Sequence, residues 1–261
     1  MQIFDIHTHV YPDAVAQKAT DSVKTFYGIS GAGMDGKVST LLQRGQEAGI
    51  SRFLILPVAI RSDRVQGIND FILQQTQLHP EFVGFGSVHA GMPGIAQEAH
   101  RIMDMGLKGI KMHPDCQRFH IDDPRLYPLY ETVEGKIPVM FHMGDQRYDY
   151  SHPVKLRKIL DQFPRLQAVA AHFGGYSMQE TAYDLLKDTN CIFDISSSMM
   201  FMEPGVPEKY INRYGAERLA YGTDYPLWDP VQEVQRFLQL KLHPDQLEQI
   251  AWKTAYRFLK L

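Results

Sequence analysis

Short apolar runs alternate with longer amphipathic stretches along nearly the whole chain, and this alternation limits the possible folds most. The predicted strands occupy residues 2–6, 52–58, 82–88, 107–112, 137–142, 166–171, 191–195 and 218–222. The predicted helices occupy residues 37–48, 65–78, 93–105, 123–134, 152–162, 177–187, 206–214 and 230–239, and a further helix covers 244–259. Several runs are apolar without a break, which is typical of parallel strands that are covered on both faces.

Eight strands that alternate with eight helices predict an α/β fold of the (β/α)8 TIM-barrel type, with an extra C-terminal helix. A doubly wound open sheet is the alternative. That fold usually begins with a glycine-rich turn after its first strand, whereas this chain has His7-Thr8-His9 there. No linker rich in Pro, Gly or Ser divides the sequence, so we predict one domain over residues 1–261.

Residues 10–36 are too many for a simple connection between a strand and its helix. This segment contains Gly28, Gly31, Gly33 and Gly36. We therefore predict a long, flexible loop insertion after the first strand, placed over the mouth of the barrel as a lid.

Six of the eleven histidines stand at the ends of predicted strands. They are His7, His9, His89, His113, His142 and His172. In an extended backbone, residues i and i+2 point to the same side, so His7 and His9 can converge on one ion. Barrel enzymes carry their chemistry at the carboxyl ends of the strands. The distribution of histidines therefore indicates a metalloenzyme.

A carboxylate, Asp224, follows the last predicted strand. Imidazole nitrogens combined with a carboxylate suit Zn²⁺, Mn²⁺ or Fe²⁺, whereas Ca²⁺ prefers oxygen ligands. We expect a divalent metal as the cofactor, with Zn²⁺ ahead of Mn²⁺ and Fe²⁺.

Five stretches carry a resemblance to a known family. They are Phe-Asp-Ile-His-Thr-His-Val at 4–10, Gly-Ile-Lys-Met-His-Pro at 109–114, Val-Met-Phe-His-Met-Gly at 139–144, Ala-His-Phe-Gly-Gly at 171–175 and Tyr-Gly-Thr-Asp-Tyr-Pro at 221–226. In this order they resemble the amidohydrolase superfamily of metal-dependent hydrolases. The resemblance is greatest to its amidohydrolase-related (amidohydrolase 2) branch, which includes enzymes of the aminocarboxymuconate semialdehyde decarboxylase type.

The resemblance implies that His7, His9, His142 and Asp224 bind the metal. It leaves two roles open for His172: ligand of a second metal, or general acid or base beside a single one. A metal held by three imidazoles and a carboxylate can lower the pKa of a bound water toward ~7. Asp224 and His172 are then the expected catalytic residues, because each can exchange a proton with that water.

Four further residues are candidates for substrate binding. Lys111 has three open roles: a carboxylated lysine that bridges two metals, a contact to a substrate anion, or a structural lysine. Arg61 could grip a carboxylate through two hydrogen bonds, or it could be a surface arginine. His89 and His113 could contact the substrate or only form hydrogen bonds behind it.

Composition excludes several other classes of protein. The formal net charge of −3 gives no broad basic surface, so we expect no nucleic-acid partner. No apolar run reaches the roughly 20 residues that span a bilayer. The start, Met-Gln-Ile-Phe-Asp, lacks a basic region followed by an apolar one, so we expect no signal peptide. Cys116 and Cys191 show no metal or disulfide spacing, so we expect free thiols in a reducing cytoplasm. The expected partner is a small anionic molecule. Whether the chain forms a homodimer is left open by the sequence.

Three functions follow. The favoured one is a metal-dependent hydrolase in which metal-activated water attacks the carbonyl carbon of a small lactone, amide or ester. The alternative is a metal-dependent decarboxylase, a lyase that removes CO2 from a small unsaturated or aromatic acid. A barrel that has lost its activity is the third. The His-x-His pair occurs in both hydrolases and decarboxylases of this branch and does not separate the first two.

Overall fold

The computed structural model describes residues 1–30 and 33–261, so Gly31 of the predicted insertion lies outside the described residues. The chain divides into two compact units. Unit 1 comprises residues 1–55 and 195–255, and unit 2 comprises residues 56–194 and 256–261. The single domain over residues 1–261 stays a prediction.

The strands lie within or beside the predicted apolar runs, and most are shorter than those runs. Their bounds are β1 (Phe4–Thr8), β2 (Arg52–Ile55), β3 (Phe82–Gly84), β4 (Gly86–Ser87), β5 (Ile110–Met112), β6 (Val139–Phe141), β7 (Ala168–Ala170), β8 (Ile192–Asp194) and β9 (Leu219–Ala220). The run at 82–88 forms two strands because the strand pairing is interrupted at Phe85.

In unit 1, β1 pairs in parallel with β2, with Phe4 opposite Arg52. The residues after β9 run along the other side of β1. There the Ile6 amide donates to the Tyr221 carbonyl at 2.9 Å, and the His9 amide donates to the Tyr225 carbonyl at 2.7 Å. The carboxyl end of β1 therefore lies beside the segment that carries Asp224.

In unit 2, β4 to β8 pair in parallel, each with the next along the chain. The registers place Ile110 opposite Val139 and Val139 opposite Ala168. This run has no reversal of strand order, the feature that marks a doubly wound sheet. The carboxyl ends of parallel strands share one edge, so the residues that follow β5, β6 and β7 lie along the same edge.

The helices that the sequence predicted are present, and α3 and α9 match their predicted bounds. The bounds are α1 (Asp13–Tyr27), α2 (Val38–Ala48), α3 (Val65–Leu78), α4 (Ile95–Asp104), α5 (Pro114–Gln117), α6 (Tyr127–Val133), α7 (Pro153–Gln162), α8 (Gln179–Leu186), α9 (Val206–Tyr214), α10 (Pro230–Leu238), α11 (Pro244–Glu248) and α12 (Thr254–Leu259). A π-helical turn, residues 249–253, joins α11 to α12, and together they form the predicted C-terminal helix.

The insertion after β1 is present, but the prediction that it is a loop throughout was wrong. Residues 13–27 form α1, which contains neither glycine nor proline. Gly28 ends the helix in a left-handed conformation with φ 67°, which a glycine adopts without steric strain. Gly28 therefore marks the end of a helix in the segment that was predicted to be a loop.

Among the described residues, none of the helices combines the length and the apolar character that crossing a bilayer requires.

Candidate metal centre

Three side chains of unit 1 converge at the carboxyl end of β1. Nε2 of His7 and Nε2 of His9 each lie 3.5 Å from the same oxygen, Oδ1 of Asp224. All three residues are largely buried, with side-chain exposures of 1%, 13% and 10%. Their ligand atoms lie within 4.8 Å of one another. The pairing of β1 with the segment after β9 produces this arrangement, since the Asp224 amide donates to the His7 carbonyl at 2.8 Å.

The spacing of these atoms fits a transition-metal ion. Two ligands at about 2.1 Å from a tetrahedral ion are about 3.4 Å apart. The observed separation of 3.5 Å from each imidazole to Oδ1 is close to that value. Two neutral imidazoles and one carboxylate are also a donor set that such ions accept. The residues present in unit 1 therefore fit the divalent metal that the sequence predicts.

A second buried carboxylate, Asp5, fixes the backbone on both sides of this cluster. One oxygen, Oδ1, accepts from the His7 and Thr223 amides, each at 3.0 Å. The other, Oδ2, accepts from the Thr223 hydroxyl at 2.6 Å. Nδ1 of His7 lies 3.0 Å from the Ser196 hydroxyl, which leaves Nε2 directed at Asp224. Sequence analysis did not single out Asp5, although Asp5 belongs to the stretch at 4–10 and precedes His7 by two residues on the same side of the strand.

In unit 2, two predicted site histidines contact each other. Nε2 of His172 lies 3.0 Å from Nδ1 of His142, and both residues are buried. His172 has a left-handed backbone, with φ 61°, and its amide donates to Asp194 Oδ1 at 3.0 Å. At this distance the two imidazoles form a hydrogen bond, in which one of the two nitrogens carries the proton and the other accepts it. The pair can therefore hold and transfer a proton.

Asp115 is a buried acid beside this pair that the sequence analysis missed. Its Oδ2 lies 3.8 Å from His142 Nε2 and accepts from the Ser151 hydroxyl at 2.5 Å. Its Oδ1 has no hydrogen-bond partner among the described residues. Burial raises the pKa of Asp115 to about 6, against the opposing effect of the Ser151 hydrogen bond. The only sequence signal was its position two residues after His113.

The predicted substrate-binding residues have different surroundings in unit 2. Lys111 is fully buried on β5. His113 stacks on His142, with ring centroids 3.9 Å apart, and its Nδ1 accepts from the Cys116 amide as the cap of α5. Contact of His113 or Lys111 with a substrate stays a prediction.

Two other candidates lie in loops. His89 is half-buried, and burial lowers the pKa of its imidazole below the usual value. Its Nδ1 accepts from the Gly91 amide at 3.0 Å. Arg61 is exposed and forms two hydrogen bonds with Asp63. Contact of Arg61 or His89 with a substrate stays a prediction.

The structure thus groups His7, His9 and Asp224 in unit 1, and it groups His142 and His172 in unit 2. Binding of one ion by His7, His9, His142 and Asp224 together stays a prediction from the family pattern. The three alternatives for Lys111 also stay open.

Comparison with known protein families gives one match over nearly the full length. A family model described as Amidohydrolase matches residues 4–261. It covers all five stretches that carry the resemblance in the sequence. The match confirms the family that those stretches indicated.

Comparison with solved structures gives relatives that cover the entire chain. An uncharacterized TIM-barrel protein from Bordetella bronchiseptica has 22% identity and a TM-score of 0.81, and 99% of its chain is covered. A dihydroxybenzoic acid decarboxylase from Polaromonas sp. JS666, with bound manganese and 2-nitroresorcinol, has 15% identity, a TM-score of 0.77 and 97% coverage. A 5-carboxyvanillate decarboxylase from Novosphingobium aromaticivorans, with manganese and 4-hydroxy-3-methoxy-5-nitrobenzoic acid, has 16% identity, a TM-score of 0.78 and 96% coverage. At these identities the likeness shows a shared fold, and it confirms the TIM-barrel class.

Proposed function

We propose that this chain, which belongs to the amidohydrolase family, is a metal-dependent decarboxylase of a small aromatic or unsaturated carboxylic acid. The observation that carries the metal dependence is the approach of His7 and His9 to one oxygen of Asp224, each at 3.5 Å. Support for decarboxylation comes from the two manganese-containing decarboxylases that share the fold. Hydrolysis, which the sequence analysis favoured, becomes the alternative.

His7, His9 and Asp224 would hold the ion, and on the family pattern His142 would complete the set. A divalent ion there would supply positive charge to stabilise negative charge that develops on substrate oxygens. The two neighbours contain manganese, so Mn²⁺ stands beside Zn²⁺ as a candidate.

The His142–His172 pair would supply the proton that decarboxylation consumes. The bond between the carboxylate group and the substrate carbon that carries it breaks, and CO2 leaves. The substrate carbon then takes up one proton. We assign this proton to His172, because its imidazole can carry a proton on either ring nitrogen and its Nε2 already lies 3.0 Å from His142 Nδ1. Both rings are buried, which supports a reaction that proceeds away from bulk water.

The test uses protein stripped of metal and reloaded with Mn²⁺. It is incubated with hydroxybenzoic acids labelled with ¹³C at the carboxyl group and, separately, with a panel of lactones, amides and esters. We expect labelled CO2 from at least one acid, and none from the stripped protein or from His172→Asn. Opening of a lactone, amide or ester without CO2 release from any acid would replace the proposal with hydrolysis.

A further inference from the structure

Two residues of unit 1 outside the predicted site form a hydrogen-bonded chain that ends on Asp224. The indole Nε1 of Trp228 donates to the Ser197 hydroxyl at 2.6 Å. The Ser197 hydroxyl in turn donates to Asp224 Oδ2 at 2.5 Å. Ser197 is buried, and Trp228 is half-buried. These hydrogen bonds therefore connect a half-buried indole to the candidate metal ligand.

The direction of the protons in this chain is fixed by chemistry. An indole N–H can only donate, and an ionised carboxylate can only accept. The single hydroxyl proton of Ser197 cannot point toward Trp228, since Trp228 already presents a proton there. It must therefore point toward Asp224. Without the indole, the Ser197 hydroxyl could rotate, and donation to Asp224 Oδ2 would be only one of several orientations open to its O–H bond.

In this hydrogen-bonded arrangement the two carboxylate oxygens of Asp224 have different neighbours. Oδ2 is held by Ser197, while Oδ1 faces Nε2 of His7 and of His9. We propose that Ser197 and Trp228 are positioning residues that hold the Asp224 carboxylate so that Oδ1 is presented to the metal. The inference rests on the proposed function, because it takes Asp224 as a metal ligand.

The backbone supports this assignment. Ser197 and Asp224 both have left-handed φ values, 48° and 63°. Residues with a side chain rarely adopt this conformation unless their surroundings hold them there. Phe201 packs edge-on against Trp228, with ring centroids 5.6 Å apart at 72°, and so restrains the indole.

The experiment measures the Mn²⁺ affinity of metal-free protein by electron paramagnetic resonance of the free ion. Removal of a group that orients a metal ligand typically weakens metal binding by about 10–100-fold. We expect a loss in that range for Ser197→Ala and a smaller loss for Trp228→Phe.

The decisive comparison is the double variant S197A/W228F. If Trp228 acts through Ser197, the double variant binds Mn²⁺ no more weakly than Ser197→Ala alone. Trp252→Phe, which changes the other tryptophan of the chain, is the matched control and should leave the affinity unchanged. Far-ultraviolet circular dichroism checks that each variant is folded. Should Ser197→Ala not fold, Trp228→Phe alone tests the proposal, since it leaves the hydroxyl in place.

Two results would overturn the inference alone: wild-type affinity in both Ser197→Ala and Trp228→Phe, or losses that multiply in the double variant. A wild-type protein that binds no Mn²⁺ would overturn the metal centre of the proposed function, and the inference with it. The two failures are thus distinguishable.

Discussion

Replacement of Glu233 by glutamine should change how the stability of the protein depends on pH. Glu233 lies on α10 and is 2% exposed. Burial raises its pKa from 4.5 to about 7, although Arg236, whose Nε lies 3.3 Å from Oε1, opposes the rise. Glutamine has nearly the same shape and carries no titratable proton.

The magnitude follows from these two pKa values. Each pKa unit corresponds to about 1.4 kcal/mol, so ionising Glu233 in the folded protein costs about 3 kcal/mol. Below the unfolded pKa of 4.5, both states carry the proton and the penalty is absent. Between pH 4.5 and about 7 the unfolded chain loses this proton first, so stability falls as the pH rises. Above about pH 7 the penalty is constant.

The assay compares the free energies of unfolding of wild type and Glu233→Gln in urea, without metal, at pH 5 and pH 8. From pH 5 to pH 8 the variant should gain about 2.5 kcal/mol relative to wild type. Arg236 stays charged across this range, and its attraction to the ionised Glu233 carboxyl is already contained in the pKa of about 7. The exposed Glu131→Gln is the control. If the free energies of unfolding of wild type and Glu233→Gln changed equally from pH 5 to pH 8, the Glu233 carboxyl would not titrate in this range. That result would refute the reasoning.

Three more predictions concern the candidate site and the packing of side chains within unit 1. Asp224→Asn should lower the Mn²⁺ content, measured by mass spectrometry, by orders of magnitude, because it removes the charge that faces both imidazoles; a full complement of Mn²⁺ would contradict the assignment. His172→Asn should retain one metal ion per chain and lose turnover in the CO2 assay; two ions in wild type, one of which disappears in the variant, would show that His172 binds metal. Gly45→Ala should destabilise the protein by about 1–3 kcal/mol in thermal unfolding, because the added methyl group would overlap the Phe53 ring. The control Gly67→Ala has open space on α3 and should be neutral or stabilising by up to about 1 kcal/mol.

The order of strands and helices could be predicted because it depends on local patterns. A buried parallel strand must be apolar on both faces, and β6 shows this directly with Val139-Met140-Phe141, all fully buried. The convergence of His7 and His9 could be predicted for the same reason, since two residues on one side of a strand need no distant partner to define their direction.

The sequence did not identify groups whose role depends on distant packing. Ser197 and Trp228 are 31 positions apart, and only the fold brings the indole to the hydroxyl. Asp115 is similar: its contact with Ser151 joins residues that are 36 positions apart. Helix α1 was missed for a different reason, because the glycines after it obscured a stretch without helix breakers.

The backbone conformations at the site explain why these particular residues stand there. His172 and Asp224 have φ values of 61° and 63°, where glycine would avoid an unfavourable contact of roughly 1–2 kcal/mol. Each is held in place by a hydrogen bond from its own amide, to Asp194 Oδ1 for His172 and to the His7 carbonyl for Asp224. A glycine would satisfy the backbone better at both positions but would supply neither an imidazole nor a carboxylate. The strain therefore accompanies the two side chains to which we assign proton transfer and metal binding, as is common where a site requires a particular group at a fixed place.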